Sequence, residues 1–162
     1  MRERMTARVL LLDPEGRILL LKGRLPSDPT GPGAWFTVGG GIDPGESLKD
    51  AARREIAEET GFQVKDISDV VWTGALDFLD RKGRPWVQHE AFMIARCEGG
   101  EPSRAGWDAL EREFVDDIRW WTLAELSACR EPIYPAGLVE RLAGILGDEA
   151  GFAPGGGQPS RP

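Results

Sequence analysis

The stretch GGGIDPGESLKDAARREIAEETGF, running from Gly39 to Phe62, is a glycine run, a turn and a charged helix in immediate succession. Ser47 is a good N-cap type, Asp50 stands three positions on, and Gly61 is the residue type that ends a helix. The spacing therefore predicts a helix over Ser47 to Thr60. Successive helical residues turn by about 100°, which sets Glu59 about 40° to one side of Glu55 and Glu58 about 60° to the other. The three carboxylates share a face, and Leu48, Ala51 and Ala52 project from nearly the same sector. An ordinary surface helix puts its charges opposite its apolar residues. Overlap of the two implies acids aimed into the fold. Taken alone, such a helix still reads more readily as a solvated charged surface, because like charges at this spacing cost only about 0.2–0.5 kcal/mol per pair. The flanks shift that balance.

Gly39-Gly40-Gly41 lets backbone approach a ligand closely, and a glycine carbonyl is itself a hard oxygen ligand. Pro44-Gly45 makes a turn that returns Glu46 to the start of the helix. Carboxylates with carbonyl and water select Mg²⁺ or Mn²⁺ over zinc. Such a cation can bridge phosphate oxygens and acidify a bound water.

Outward from this centre, the chain alternates strands and helices irregularly. Met5 to Asp13 and Ile18 to Lys22 read as strands joined by the turn Pro14-Glu15-Gly16-Arg17. Leu25 to Ala34 is a loop, and Trp35 to Val38 a short strand running into the glycines. Val70 to Leu79 and Trp86 to Arg96 form a second hairpin around residues 80–85. Glu98 to Asp117 reads as polar and irregular. A strand follows over Ile118 to Thr122, then a short helix from Leu123. Leu138, Leu142, Ile145 and Leu146 mark an amphipathic closing helix. Hairpins mixed with helices predict an α/β fold, a mixed sheet with helices packed on it. Residues 1–150 are expected to form one domain. Residues 151–162, rich in Gly and Pro, are expected to be a disordered tail.

The 162 residues suffice for one core, and the net charge of -7 argues against long nucleic acid or an anionic membrane as a partner. An anionic substrate remains open if a metal supplies the positive charge. Cys97 and Cys129 lack metal-ligand spacing and read as free thiols. No apolar stretch is long enough to span a membrane, and no signal-peptide pattern is present, so a soluble, cytoplasmic protein is expected.

Gly40, Glu46, Arg54, Glu55, Ile56, Glu58, Glu59, Gly61 and Phe62 together resemble the Nudix box: Gly, five residues, Glu, seven residues, then Arg-Glu-U-x-Glu-Glu-x-Gly-U, with U bulky and apolar. Every defined position matches. One departure lies outside the box: Val38 stands where many relatives carry proline. The resemblance implies a Nudix-type αβα sandwich and hydrolysis of a nucleoside diphosphate linked to another moiety, with Mg²⁺ or Mn²⁺ as cofactor. It assigns metal binding to Glu58 and Glu59, with the Gly40 carbonyl joining. Glu55 is assigned either a metal ligand or the base that deprotonates water. Arg54 orients a box glutamate and Glu46 supports the site. Relatives often add one more acid from a loop before the last core strand; Glu113 is the first choice here and Glu111 the second. The resemblance also allows a homodimer through the first hairpin or the closing helix.

Outside the box, Lys22 and Arg24 are candidates to hold a phosphate or leaving group, although a solvated pair is the simpler reading. Trp35 reads as core, Trp86 as exposed, and one of Trp120 and Trp121 as core. His89 on a strand reads as structural. An alternative to the enzyme is a Nudix-like binding module without turnover, but such modules usually lose box glutamates, and this chain keeps Glu46, Glu55, Glu58 and Glu59.

Overall fold

The protein is described by a computed structural model that covers residues 2–25 and 28–151. Six strands and four helices follow in the order β1 (Arg2–Leu12), β2 (Ile18–Gly23), β3 (Ala34–Gly41), α1 (Leu48–Thr60), β4 (Trp72–Leu79), β5 (Pro85–Arg96), α2 (Ala109–Phe114), β6 (Val115–Trp121), α3 (Leu123–Ala128) and α4 (Leu138–Gly151). The strands make one mixed sheet in the order β4-β5-β1-β3-β2-β6. The β1–β5 pairing is parallel and the others are antiparallel.

Strand β1 explains the architecture. Val9, Leu10, Leu11 and Leu12 are all fully buried, although successive side chains of a strand point to opposite faces. A continuous apolar run is what a strand covered on both sides requires. Ala7, Val9 and Leu11 join Val38, Ala51, Ala52 and Ile56 in a core beneath α1. Leu10 and Leu12 join Trp35, Trp121, Leu126, Leu138 and Leu142 in a second core beneath α3 and α4. The result is the expected αβα sandwich.

The two hairpin turns share one device. Asp13 Oδ1 accepts the backbone N–H groups of Glu15 and Arg17, and its Oδ2 lies 2.7 Å from Arg17 Nε. Asp80 does the same with Lys82, Arg84 and the Arg84 Nε, again at 2.7 Å. Each aspartate thereby closes its turn with three of its own neighbours' donors.

The main departures from the sequence-based expectations lie at four places. Strand β1 begins at Arg2 rather than Met5, because its first residues pair with β5 from Trp86 onward. Strand β3 continues through the glycines to Gly41, pairing Gly39, Gly40 and Gly41 with Arg8, Ala7 and Thr6. The segment expected to be irregular contains α2, held by a capping box between Asp108 and Glu111. Strand β6 then starts at Val115. The expected tail, apart from Gly151 at the end of α4, lies outside the described residues. Among those residues, no helix is long and apolar enough to cross a membrane.

Candidate active site

Helix α1 forms where the sequence places it. Asp50 N donates to Ser47 Oγ at 3.1 Å, and Gly61, at φ 79°, ends the helix with its N–H on the Ala57 carbonyl. Ala51, Ala52 and Ile56 anchor the helix at 0% exposure, and that contact carries Glu55 and Glu59 inward with them. Glu59 is 4% exposed, and its Oε1 accepts the Gly39 N–H at 2.8 Å. Gly39 has φ 146°, and a Cβ there would stand 2.1 Å from the Ala7 carbonyl oxygen, so glycine alone fits this crossing of β1. A Cβ on Gly40 would lie 2.5 Å from a Glu55 carboxylate oxygen. Missing side chains at 39 and 40 thus bring two box glutamates against the strand backbone.

Arg54 organises the rim. Its Nε and Nη2 grip both Glu46 oxygens at 2.7 and 2.8 Å, a fork-to-fork pair. Nη2 also donates to the Gly41 carbonyl at 2.9 Å, and Nη1 reaches Glu55 Oε1 at 3.0 Å and Glu58 Oε2 at 3.3 Å. Glu46 additionally accepts the Asp43 N–H. The Arg54 guanidinium, with that N–H, holds the Glu46 carboxyl down to about 2. Glu46, also a sequence candidate for substrate contact, braces Arg54 through both of its carboxylate oxygens.

A third carboxylate beside Glu55 and Glu59 comes from α2. Carboxylate oxygens of Glu55, Glu59 and Glu111 lie within 4.8 Å of one another. Trp107 fixes this geometry: it is buried, and its Nε1 donates to the Glu59 carbonyl at 2.8 Å. Ser103 N likewise donates to the Thr60 carbonyl at 2.7 Å. The segment is thereby tied to the C-terminal turn of α1. Glu111 Oε1 accepts the Asp108 N–H at 3.1 Å as the N3 member of the capping box. The cap therefore orients the carboxylate that meets Glu59.

Burial raises the pKa of Glu59 well above its ordinary value, reinforced by its contact with Glu111 and by the charge of Glu55. Burial also raises Glu55, against the pull of Arg54. Three acids converging at this depth, with one of them forced toward its neutral form, suit an added cation. The donors are oxygens alone, so Mg²⁺ or Mn²⁺ fits and a zinc site of His or Cys does not.

The remaining sequence candidates fall elsewhere. Glu113, the first choice for the loop acid, pairs with Arg81 at 3.2 Å, whereas Glu111, the second choice, lies beside Glu55 and Glu59. The cause is the short helix, which puts residues 111 and 113 about 200° apart around its axis. Glu58 lies on the rim against Arg54, with its side chain 46% exposed. Lys22 pairs with Glu131 and lies 5.9 Å from the Trp35 ring centroid. Arg24 is held by Asp116 at 3.0 Å, by the Pro29 carbonyl and by the Glu113 carbonyl. Neither cation faces the carboxylate cluster through these bonds. Trp35 is core and donates to Glu131, and Trp121 is core while Trp120 is half-buried. His89 pairs with Glu3 at 2.7 Å. Both cysteines are free.

A family model described as the NUDIX domain matches residues 2–142. Over 86 residues the chain is 36% identical to the nucleoside triphosphatase NudI of Escherichia coli, an alignment covering 52% of this chain and 59% of that protein. The chain thus spans about three fifths of the length of the curated relatives it matches. Among solved structures, a MutT NUDIX hydrolase from Burkholderia pseudomallei is similar with a TM-score of 0.59 and 25% identity, covering 88% of this chain and 98% of that one. The NUDIX domain of Shewanella oneidensis NrtR, in complex with ADP ribose, shares the fold at TM-score 0.64 and 22% identity, covering 90% of each chain.

Proposed function

Since the chain belongs to the Nudix family, we propose that it is a metal-dependent pyrophosphohydrolase acting on a nucleoside diphosphate linked to another moiety. The observation that carries this reading is the convergence of Glu55, Glu59 and Glu111 beside the glycine strand. Glu59 and Glu111 would hold Mg²⁺ or Mn²⁺, with Glu58 at the rim, the Gly40 carbonyl on the adjoining strand and Glu55 beside them as the base. When bound, the cation supplies neutralisation of the phosphate charge and acidification of water.

The reaction adds water across a phosphoanhydride. A water oxygen forms the new bond to phosphorus, the bridging P–O bond breaks, and the electron pair leaves with the departing phosphate. Products are a nucleoside monophosphate and the phosphorylated remainder. Glu55 is the proton acceptor in this scheme. Its carboxylate lies in the cluster, and burial raises its affinity for a proton. Arg54 is a positioning residue: it fixes one Glu55 oxygen and is itself locked by Glu46.

The test is a panel of nucleoside triphosphates, dinucleoside polyphosphates, ADP-ribose, nucleotide sugars and coenzyme A with Mg²⁺ or Mn²⁺, read by product identity. Turnover of at least one member, lost on chelation and reduced by about 10²-fold or more in Glu55→Gln, is expected. Binding without turnover on every member would replace the enzyme with a nucleotide-binding module. An unchanged rate in Glu55→Gln would remove the base from that residue.

A further inference from the structure

We propose that Arg4 is the side chain that binds the phosphoanhydride chain of the substrate, an inference that rests on reading the carboxylate cluster as a hydrolase site. An anionic substrate approaching Glu55, Glu59 and Glu111 needs positive charge beyond a metal, in a protein whose net charge is -7. The nearby cations are mostly spoken for. Arg54 serves Glu46, Glu55, Glu58 and the Gly41 carbonyl. Arg8 donates to the Thr37 and Gly39 carbonyls at 3.3 Å each and lies 3.3 Å from Glu90. Lys22 and Arg24 have the partners given above.

Arg4 differs. Among the described residues its guanidinium has neither a hydrogen-bond nor an ion-pair partner, and its one ring contact is with Phe78, 6.0 Å from the ring centroid. It stands beside the site: its Nη2 is 3.8 Å from where a Cβ on Gly41 would be, and the Gly41 carbonyl is the one Arg54 holds. Glu55 is close enough to draw on its charge. Desolvation of the guanidinium and the neighbouring Arg8 lower its pKa, against the pull of Glu55 and Glu90. Strand pairing fixes its position, since Arg4 lies opposite Gln88 in the β1–β5 register and two residues before the Thr6–Gly41 pair.

A guanidinium offers five donors in a planar fork that matches two oxygens of a phosphate or of a diphosphate. Arg4 is thus placed to neutralise one phosphate while the carboxylate cluster attends to the phosphorus under attack. It contributes binding rather than bond making.

The experiment compares wild type with Arg4→Ala, Arg4→Lys and the control Arg2→Ala. The probes are methylenediphosphonate with Mg²⁺ by calorimetry, Mn²⁺ alone by paramagnetic resonance, and steady-state kinetics on a nucleoside triphosphate. Arg4→Ala is expected to weaken methylenediphosphonate binding by about tenfold or more and to raise KM in parallel, with kcat within about threefold. Mn²⁺ affinity stays unchanged, Arg4→Lys recovers part of the loss, and Arg2→Ala matches wild type. Diphosphonate affinity in Arg4→Ala within about twofold of wild type overturns the proposal, as does no diphosphonate binding by wild type or an equal fall in Mn²⁺ affinity. If wild type binds the diphosphonate but turns over no triphosphate, and Arg4→Ala loses that binding, the assignment of Arg4 stands and the hydrolase reading falls.

Discussion

At the scale of single residues, the decisive tension is Glu59. Its carboxylate is buried, receives one backbone N–H, and meets two other acids. In the metal-free protein this charge is a burden that burial relieves by favouring the protonated form. Substituting Glu59→Gln keeps an oxygen for the Gly39 N–H and removes the charge. Without divalent cation, the variant is expected to melt at least as high as wild type. Adding Mg²⁺ at about a hundred times its Kd stabilises a protein by about 2.7 kcal/mol, which for a chain of this length raises Tm by about 5–10 °C. That rise is expected in wild type and absent in Glu59→Gln. Scanning calorimetry with and without Mg²⁺ checks both statements, and an equal rise in the two proteins would exclude Glu59 as a ligand.

At the scale of elements, the contribution of α2 separates Glu111 from Glu113. Trp107 docks the segment on α1, the capping box starts the helix, and the N3 position delivers Glu111 to Glu59. Glu111→Gln is expected to lower kcat/KM by about 10²-fold or more, while Glu113→Gln stays within about threefold. Kinetics on any substrate found in the panel decides between them, and the reverse ranking would mean that α2 is rotated when substrate binds. The sequence made α1 legible because cap, stop and apolar face all agree over Ser47 to Gly61. Helix α2 was harder to read: six residues carry no apolar period, and its acids look like a solvated loop. The signal was nevertheless present, since Asp108 followed three residues later by Glu111 is a capping-box pattern. Lys22 and Arg24 read as free cations at a strand end, but their partners Glu131 and Asp116 lie about a hundred residues away in sequence, and nothing local announces them. Arg4 carries no sequence signal for the converse reason. Among the described residues its guanidinium has no hydrogen-bond or ion-pair partner, which only the folded arrangement reveals.

At the scale of the whole molecule, the two edges of the sheet meet again over α2. Strands β4 and β6 are the outermost strands, yet Arg81 in the β4–β5 turn reaches Glu113 at 3.2 Å and lies 5.0 Å from the Phe114 ring centroid. Arg24, at the end of β2, lies 5.6 Å from the same ring centroid. The second hairpin therefore touches the short helix that carries Glu111, and Asp80 keeps its turn in shape by binding the Lys82 and Arg84 N–H groups and the Trp86 Nε1. The Arg81–Glu113 pair is more than half exposed on both sides, and such pairs contribute about 0–1 kcal/mol. Its loss should therefore be felt locally rather than globally. In Arg81→Ala, backbone amides of residues 79–86 are expected to exchange faster with deuterated solvent, while Tm moves by less than about 4 °C. Exchange by mass spectrometry on the two proteins checks this. Unchanged protection of the hairpin would show that the Asp80 turn is rigid without the Arg81–Glu113 pair.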